Sequence, residues 1–143
     1  MTQSNREDVA NMQTEELGNS LKQISAFLSA YVHCEDDNLL TAAQRRASLL
    51  HKHLLTGSFP GVEDLVFEII NTFESLKKQH SHKEMQLNAL CQSIIILPRY
   101  INYLKKYVKR VSSEPQLLIP YINNLRACQN KPLLAETHYA DFT

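Results

Sequence analysis

The chain has 143 residues, 43% of them hydrophobic, with only 3 glycines and 5 prolines; this is a single-domain length with a globular, helix-prone composition, and it excludes a largely disordered chain. Its 15 basic and 15 acidic side chains cancel, so no overall field recruits nucleic acid or anionic lipid. No apolar run nears the roughly 20 residues a membrane helix needs, the strongest being Ile94 to Leu97, and the polar, acidic start is not a signal peptide.

Residues 1–11 read as a flexible N-terminus, 12–137 as one helical domain, and 138–143 as a tail or the start of a linker. Apolar residues recur at helical spacing through Leu17, Leu21, Ile24, Leu28 and Tyr31, then Leu40, Ala43, Ala47, Leu50 and Leu54, then Val62, Leu65, Ile69, Phe73 and Leu76, which predicts three amphipathic helices. Glu35-Asp36-Asp37-Asn38 supplies an acidic, capping start to the second, and Thr56-Gly57-Ser58-Phe59-Pro60-Gly61 ends it and opens the third. Lys77 to Ser81 is a short polar connection.

The fourth helix has the most regular pattern: Leu87, Leu90, Ile94, Leu97, Ile101, Leu104, Val108 and Val111 alternate steps of three and four, an apolar stripe of about seven turns that calls for a partner helix along its length. Pro98 lies inside it and removes one ladder bond, so a kink is expected there, not an end. Pro115 suits a first helical turn, and Pro120 starts a new helix or kinks the old one. Pro132 stops that helix, which lays Leu118, Ile122 and Leu125 on the bundle, with Arg126 pairing to a carboxylate. The expected fold is all-α: an up-and-down four-helix bundle with a proline-bounded C-terminal helix against it.

Charge is segregated even though it sums to zero. Residues 1–37 hold Arg6 and Lys22 against Glu7, Asp8, Glu15, Glu16, Glu35, Asp36 and Asp37, whereas 85–112 hold Arg99, Lys105, Lys106, Lys109 and Arg110 and no acid. Cys34, Cys91 and Cys128 are odd in number and widely spaced, which fits a reducing compartment, no disulfide framework, and thiols used as small hydrophobes.

The stretch Leu87 to Thr137 resembles a specific pattern. Leu97, Pro98, Tyr100, Ile101 and Leu104, then Pro115, Leu118, Pro120, Asn123, Leu125, Arg126 and Ala127, then Pro132, Leu133, Leu134 and Glu136 fall on the motif of the N-terminal region of the ChpA/PilL hybrid sensor kinases and of the related stand-alone protein FimL. Residues 12–80 fit only in helical layout. The ending Leu-Leu-Ala-Glu-Thr is closer to the kinase N-terminus, and the chain stops just after it, as an excised domain would. The resemblance implies a bundle similar to histidine phosphotransfer (HPt) domains that has lost its acceptor function. It also implies a cytoplasmic scaffold in type IV pilus chemosensing and twitching motility, placed at the cell pole by the tetratricopeptide region of the hub protein FimV, with kinase chemistry downstream and response regulators as further partners.

The residues themselves offer two phosphoacceptor candidates, His51 and His53. A phosphotransfer histidine needs Lys and Gly at the third and fourth positions after it, the lysine to offset phosphoryl charge and the glycine to admit a regulator domain. His53 keeps Gly57 but has Thr56 for the lysine; His51 has Leu54 and Leu55 there, and Gly61 and Leu65 further on. With about 100° per residue, His51 lies about 60° from the centre of its helix's stripe and His53 about 100°, so both reach solvent. The pairs His33 and Cys34, His51 and His53, and His80 and His82 do not converge on a metal, since adjacent and alternate helical residues face different ways. There is no Gly-rich phosphate loop and no Gly-x-Ser-x-Gly turn.

Two segments suit a protein partner. Arg99 to Arg110 interleaves basic and aromatic residues, with tyrosine rings half buried beside the stripe; Pro115 to Glu136 combines rigid backbone with an aromatic and a guanidinium. The expected contact residues are Tyr100, Tyr103, Lys105, Lys109, Pro120, Tyr121, Asn124 and Arg126, with no cofactor and no metal. The reading is a non-catalytic interaction domain. Its alternatives are an active phosphotransfer domain at His51 or His53 and a helical dimerisation module using the Leu87 to Val111 stripe as a homodimer contact.

Overall fold

The computed structural model describes residues 2–54, 60–78, 83–107 and 115–139. Five α-helices account for most of them: α1 (Thr2–Cys34), α2 (Asp37–Leu54), α3 (Pro60–Lys78), α4 (Lys83–Tyr107) and α5 (Ile119–Cys128), with a 3-10 turn Pro115–Leu118 leading into α5. No strand is found among the described residues. α1 packs on α2, α2 on α3, α3 on α4, and α4 returns to α1, while α5 and its turn lie on α3 and α4. The chain is therefore an all-α bundle with a fifth helix at its C-terminal end.

Local chemistry accounts for the boundaries. Glu35 takes φ 53° and its N–H donates to the Tyr31 carbonyl at 2.7 Å, a left-handed termination of α1. The Asp36 carboxylate then accepts from the Asn38 N–H at 3.0 Å, satisfying one of the orphan donors at the start of α2. The acidic expectation for this turn thus resolves to one capping residue. Lys83 at the start of α4 reaches back to Glu35 at 2.7 Å and sits over the Tyr31 ring. The Gln44–Glu74 hydrogen bond joins the first half of α2 to the second half of α3, and Gln86–Ser75 joins the start of α4 to the end of α3, as antiparallel neighbours require.

All fifteen stripe positions expected in the first three helices are buried, from Leu17 to Leu76. Each full burial of a Leu, Ile or Phe contributes about 1.5–3 kcal/mol, and Ala43 and Ala47 are small enough to bring α2 close to its neighbours. In α4, Leu90, Ile94, Leu97 and Ile101 are buried and Leu87 is half-buried. The Leu104 side chain, Val108 and Val111 lie outside the described part of the stripe. The helix continues through exposed Pro98 to Tyr107.

The first helix runs from Thr2. At the other end Tyr139 is 2% exposed and its hydroxyl donates to Asp64 of α3. Nothing in the apolar periodicity marks a lone tyrosine as an anchor. No helix among the described residues is long and apolar enough to cross a membrane.

Candidate functional site

The C-terminal segment is organised by a carboxylate that the apolar pattern of α3 conceals. Glu68 is 3% exposed, between Leu65 and Thr72 on the side of α3 that meets α5. Its Oε2 accepts from Arg126 Nη1 at 2.7 Å, and its Oε1 accepts from Lys131 Nζ at 3.1 Å. A buried carboxylate without such partners costs several kcal/mol. Burial pushes the Glu68 carboxyl up, but the hydrogen bonds from Lys131 and Arg126 outweigh it and hold the group below its ordinary value.

From that hub the segment folds back on itself. Pro120 enters the first turn of α5, where its missing N–H costs nothing. The helix ends at Cys128, Asn130 adopts φ 57°, and the Lys131 N–H returns to the Arg126 carbonyl at 3.0 Å, a left-handed stop of the kind asparagine tolerates. The reversal lets Arg126 Nε donate to the Pro132 carbonyl at 2.6 Å. It also lets the Asn123 amide both donate to the Leu134 carbonyl at 3.1 Å and accept from the Leu134 N–H at 2.8 Å. Gln129 bridges to Thr72 at 3.0 Å, and Tyr139 closes the strap on Asp64. Burial and the Asp64 charge raise the Tyr139 phenol well above its usual range, so it remains a donor.

Gly61 has a place in the same arrangement. A Cβ there would lie 2.8 Å from Pro115 Cβ and 3.0 Å from its Cα, so glycine is what lets the 3-10 turn rest against the start of α3. Gly61, ten residues after His51 in the phosphotransfer frame, is occupied in packing against Pro115.

The expected partner residues divide into three groups. Tyr100 is 5% exposed, on the core side of α4. Arg126, partly exposed, is engaged by Glu68 and Pro132, as the carboxylate-pairing account anticipated. Tyr103 at 38%, Pro120 and Asn124 are exposed, and Tyr121 is half-buried. The side chain of Lys105 on α4, and Lys109 altogether, lie outside the described residues.

His51 and His53 end α2 with different surroundings. His51 is half-buried with its ring tilted at 38° to that of Phe67, centroids 5.7 Å apart, while His53 is exposed. Leu54, where the His51 frame would need its lysine, is buried in the core, and Leu55 to Phe59, which carry the rest of the His53 frame, lie outside the described residues. No group of three His, Cys, Asp or Glu that could hold a metal occurs among the described residues; His80 and His82 fall outside them. Burial pushes the Cys91 and Cys128 thiols up, away from thiolate chemistry.

Glu68, Asp64 and Tyr139 escaped sequence reasoning. The available signal was a glutamate at helical spacing within the broad apolar surface of α3, Val62-Leu65-Glu68-Thr72, together with an arginine that needed a carboxylate. No family model, curated protein or solved structure matches the chain.

Proposed function

We propose that the chain is a non-catalytic interaction domain of the type IV pilus chemosensory system, similar to the N-terminal region of ChpA/PilL-type kinases, and that it binds the tetratricopeptide region of FimV at the cell pole. The observation that carries this reading is the C-terminal strap. The residues on which the resemblance rests, Asn123, Arg126, Pro132 and Leu134, hold one another and α3 through specific hydrogen bonds. They hold the backbone of α5, which carries exposed Pro120 and Asn124 and half-buried Tyr121, and preorganisation of that kind is what an interface gains from. Tyr103 on α4 adds an exposed aromatic to the half-buried Tyr121. Against phosphotransfer stands the lysine that neither histidine has: Leu54 takes its place after His51 and Thr56 after His53.

The test has two arms. Calorimetry against the FimV tetratricopeptide region should show binding that Tyr121→Ala weakens about tenfold, as loss of an interface aromatic does, with the variant's helicity unchanged by circular dichroism. Incubation with an active histidine kinase domain and labelled ATP should leave the chain unlabelled. No binding by the folded wild type would overturn the FimV assignment. Acid-labile label abolished by His53→Ala or His51→Ala would instead install the phosphotransfer reading.

A further inference from the structure

We infer that the outer face of α2, on the side turned to α3, is a docking groove for an acidic helical segment of a partner protein. Arg45, Leu49 and Lys52 follow one another at i, i+4 and i+7, within an arc of about 60° on the helix at about 100° per residue. All three are exposed, Leu49 at 48%. The two flanks of this arc are already used: Gln44 donates to Glu74 of α3 at 2.9 Å, and Arg46 pairs with Glu16 of α1. On the α3 side Thr41, Arg45, Ser48, Leu49 and Lys52, with Lys77 of α3, line an open groove of about 510 Å³.

The groove carries charge of one sign. Among the described residues none of its lining side chains is acidic, and the carboxylate nearest to it, Glu74, is held by Gln44, Lys77 and Lys78. Neither Arg45 nor Lys52 has an ion-pair partner among the described residues. The two stand about 10 Å apart along the axis, the separation of carboxylates two turns apart on a ligand helix, and Leu49 between them receives one apolar side chain. From Thr41 to Lys52 the groove runs about 16 Å, or about three turns, which suits a short helix laid along α2 and α3. A lipid surface fits less well, because Leu49 is the one large apolar side chain that α2 exposes and an interfacial helix needs a broad apolar face. The contact is local and patterned, since the 15 basic and 15 acidic side chains of the chain cancel and supply no long-range pull on a polyanion. It uses none of the α5 residues assigned to FimV.

Fluorescence anisotropy of labelled peptides against the full chain tests the inference. The probe is an alanine-based helical peptide with one leucine, a glutamate four residues before it and another three after it; the controls carry glutamine or lysine in place of both glutamates. In about 50 mM salt the wild type should bind the glutamate peptide about tenfold more tightly than either control, and binding should weaken about tenfold in about 500 mM salt, where screening shortens the reach of the charges. Arg45→Glu with Lys52→Glu should lose the glutamate peptide and take up the lysine peptide instead, an exchange that an unfolded variant cannot show. Leu49→Ser should weaken binding with unchanged circular dichroism, and Tyr121→Ala should bind as the wild type does, which separates this face from α5. A wild type that does not discriminate among the three peptides, a reversed variant that still prefers the glutamate peptide, or phosphatidylserine vesicles that displace the peptide and so mark the face as a lipid contact would each overturn the proposal.

Discussion

The α2 helix and the strap from Pro115 to Tyr139 both pack on α3, on opposite sides and by different physics. α2 presents Leu40, Ala43, Ala47, Leu50 and Leu54, all buried, and its attachment is a sum of similar apolar contacts, none of which depends on one partner. The strap has an apolar base in Leu118, Ile119, Ile122 and Leu125, but past Cys128 it is held by individually placed polar groups on Glu68, Asn123 and Asp64. Contacts of the first kind lose stability in proportion to the atoms removed; contacts of the second kind fail when a single partner goes. The two sides of α3 should therefore respond differently to substitution.

The largest contrast pairs Phe73→Ala with Arg126→Leu. Phe73 is fully buried, and truncating it should cost about 3–5 kcal/mol, lowering amide protection over the whole bundle together. Arg126→Leu leaves the buried Glu68 carboxylate with Lys131 as its one remaining cation, beside long amide contacts from Gln129 and Asn71, and removes the bond to Pro132. A cost of about 2–3 kcal/mol is expected, concentrated in residues 119–139 while α1 to α3 keep their protection. Hydrogen exchange resolves the two patterns, and uniform loss of protection in Arg126→Leu would erase the distinction between the two sides.

Gly61→Ala sharpens the comparison at the base of the strap. The new methyl would meet both the Cβ and the backbone Cα of Pro115, so the 3-10 turn must shift away from α3. Overpacking of this kind costs about 1–3 kcal/mol, partly offset by the roughly 1 kcal/mol that alanine gains over glycine in a helix. Urea titration should show a lower midpoint for Gly61→Ala than for Gly18→Ala, since a Cβ at Gly18 in α1 meets nothing within 4 Å. Equal midpoints would mean that Pro115 accommodates the methyl at no cost.

How much of this was readable from sequence follows the same division. The apolar stripes of α1, α2 and α3, and Leu118, Ile122 and Leu125 of the strap, are legible because burial of a helix face imposes a 3.6-residue period on the chain. The partners of Glu68 and Asp64 leave no period: each is a single polar contact between residues some sixty or seventy positions apart, and its identity depends on how the helices cross. Arg126 could be expected to find a carboxylate, but which one could not be read without α5 placed on α3. Tyr100, one position before Ile101 on α4, is buried although the period of the stripe does not mark it, and it lies near enough to Tyr139 of the strap to raise that phenol's pKa.

The smallest expected effect is a pH dependence that isolates the polar hub. The folded-state pKa of Glu68 lies below its ordinary value of 4.5, despite burial, because Lys131 and Arg126 hydrogen-bond the ionised form. A group depressed on folding contributes stability that is fully present above the unfolded pKa and is lost as pH falls through the folded one. Glu74 is also depressed, to about 2, by Gln44 and Lys77, so the acid limb of the wild type alone would not report Glu68. The difference in unfolding free energy between wild type and Glu68→Gln does, because Glu74 is common to both. That difference should be constant from about pH 8 to about pH 6 and should shrink as pH drops below about 4.5. A difference that grows on acidification would mean that burial outweighs the two cations and that Glu68 enters the fold protonated.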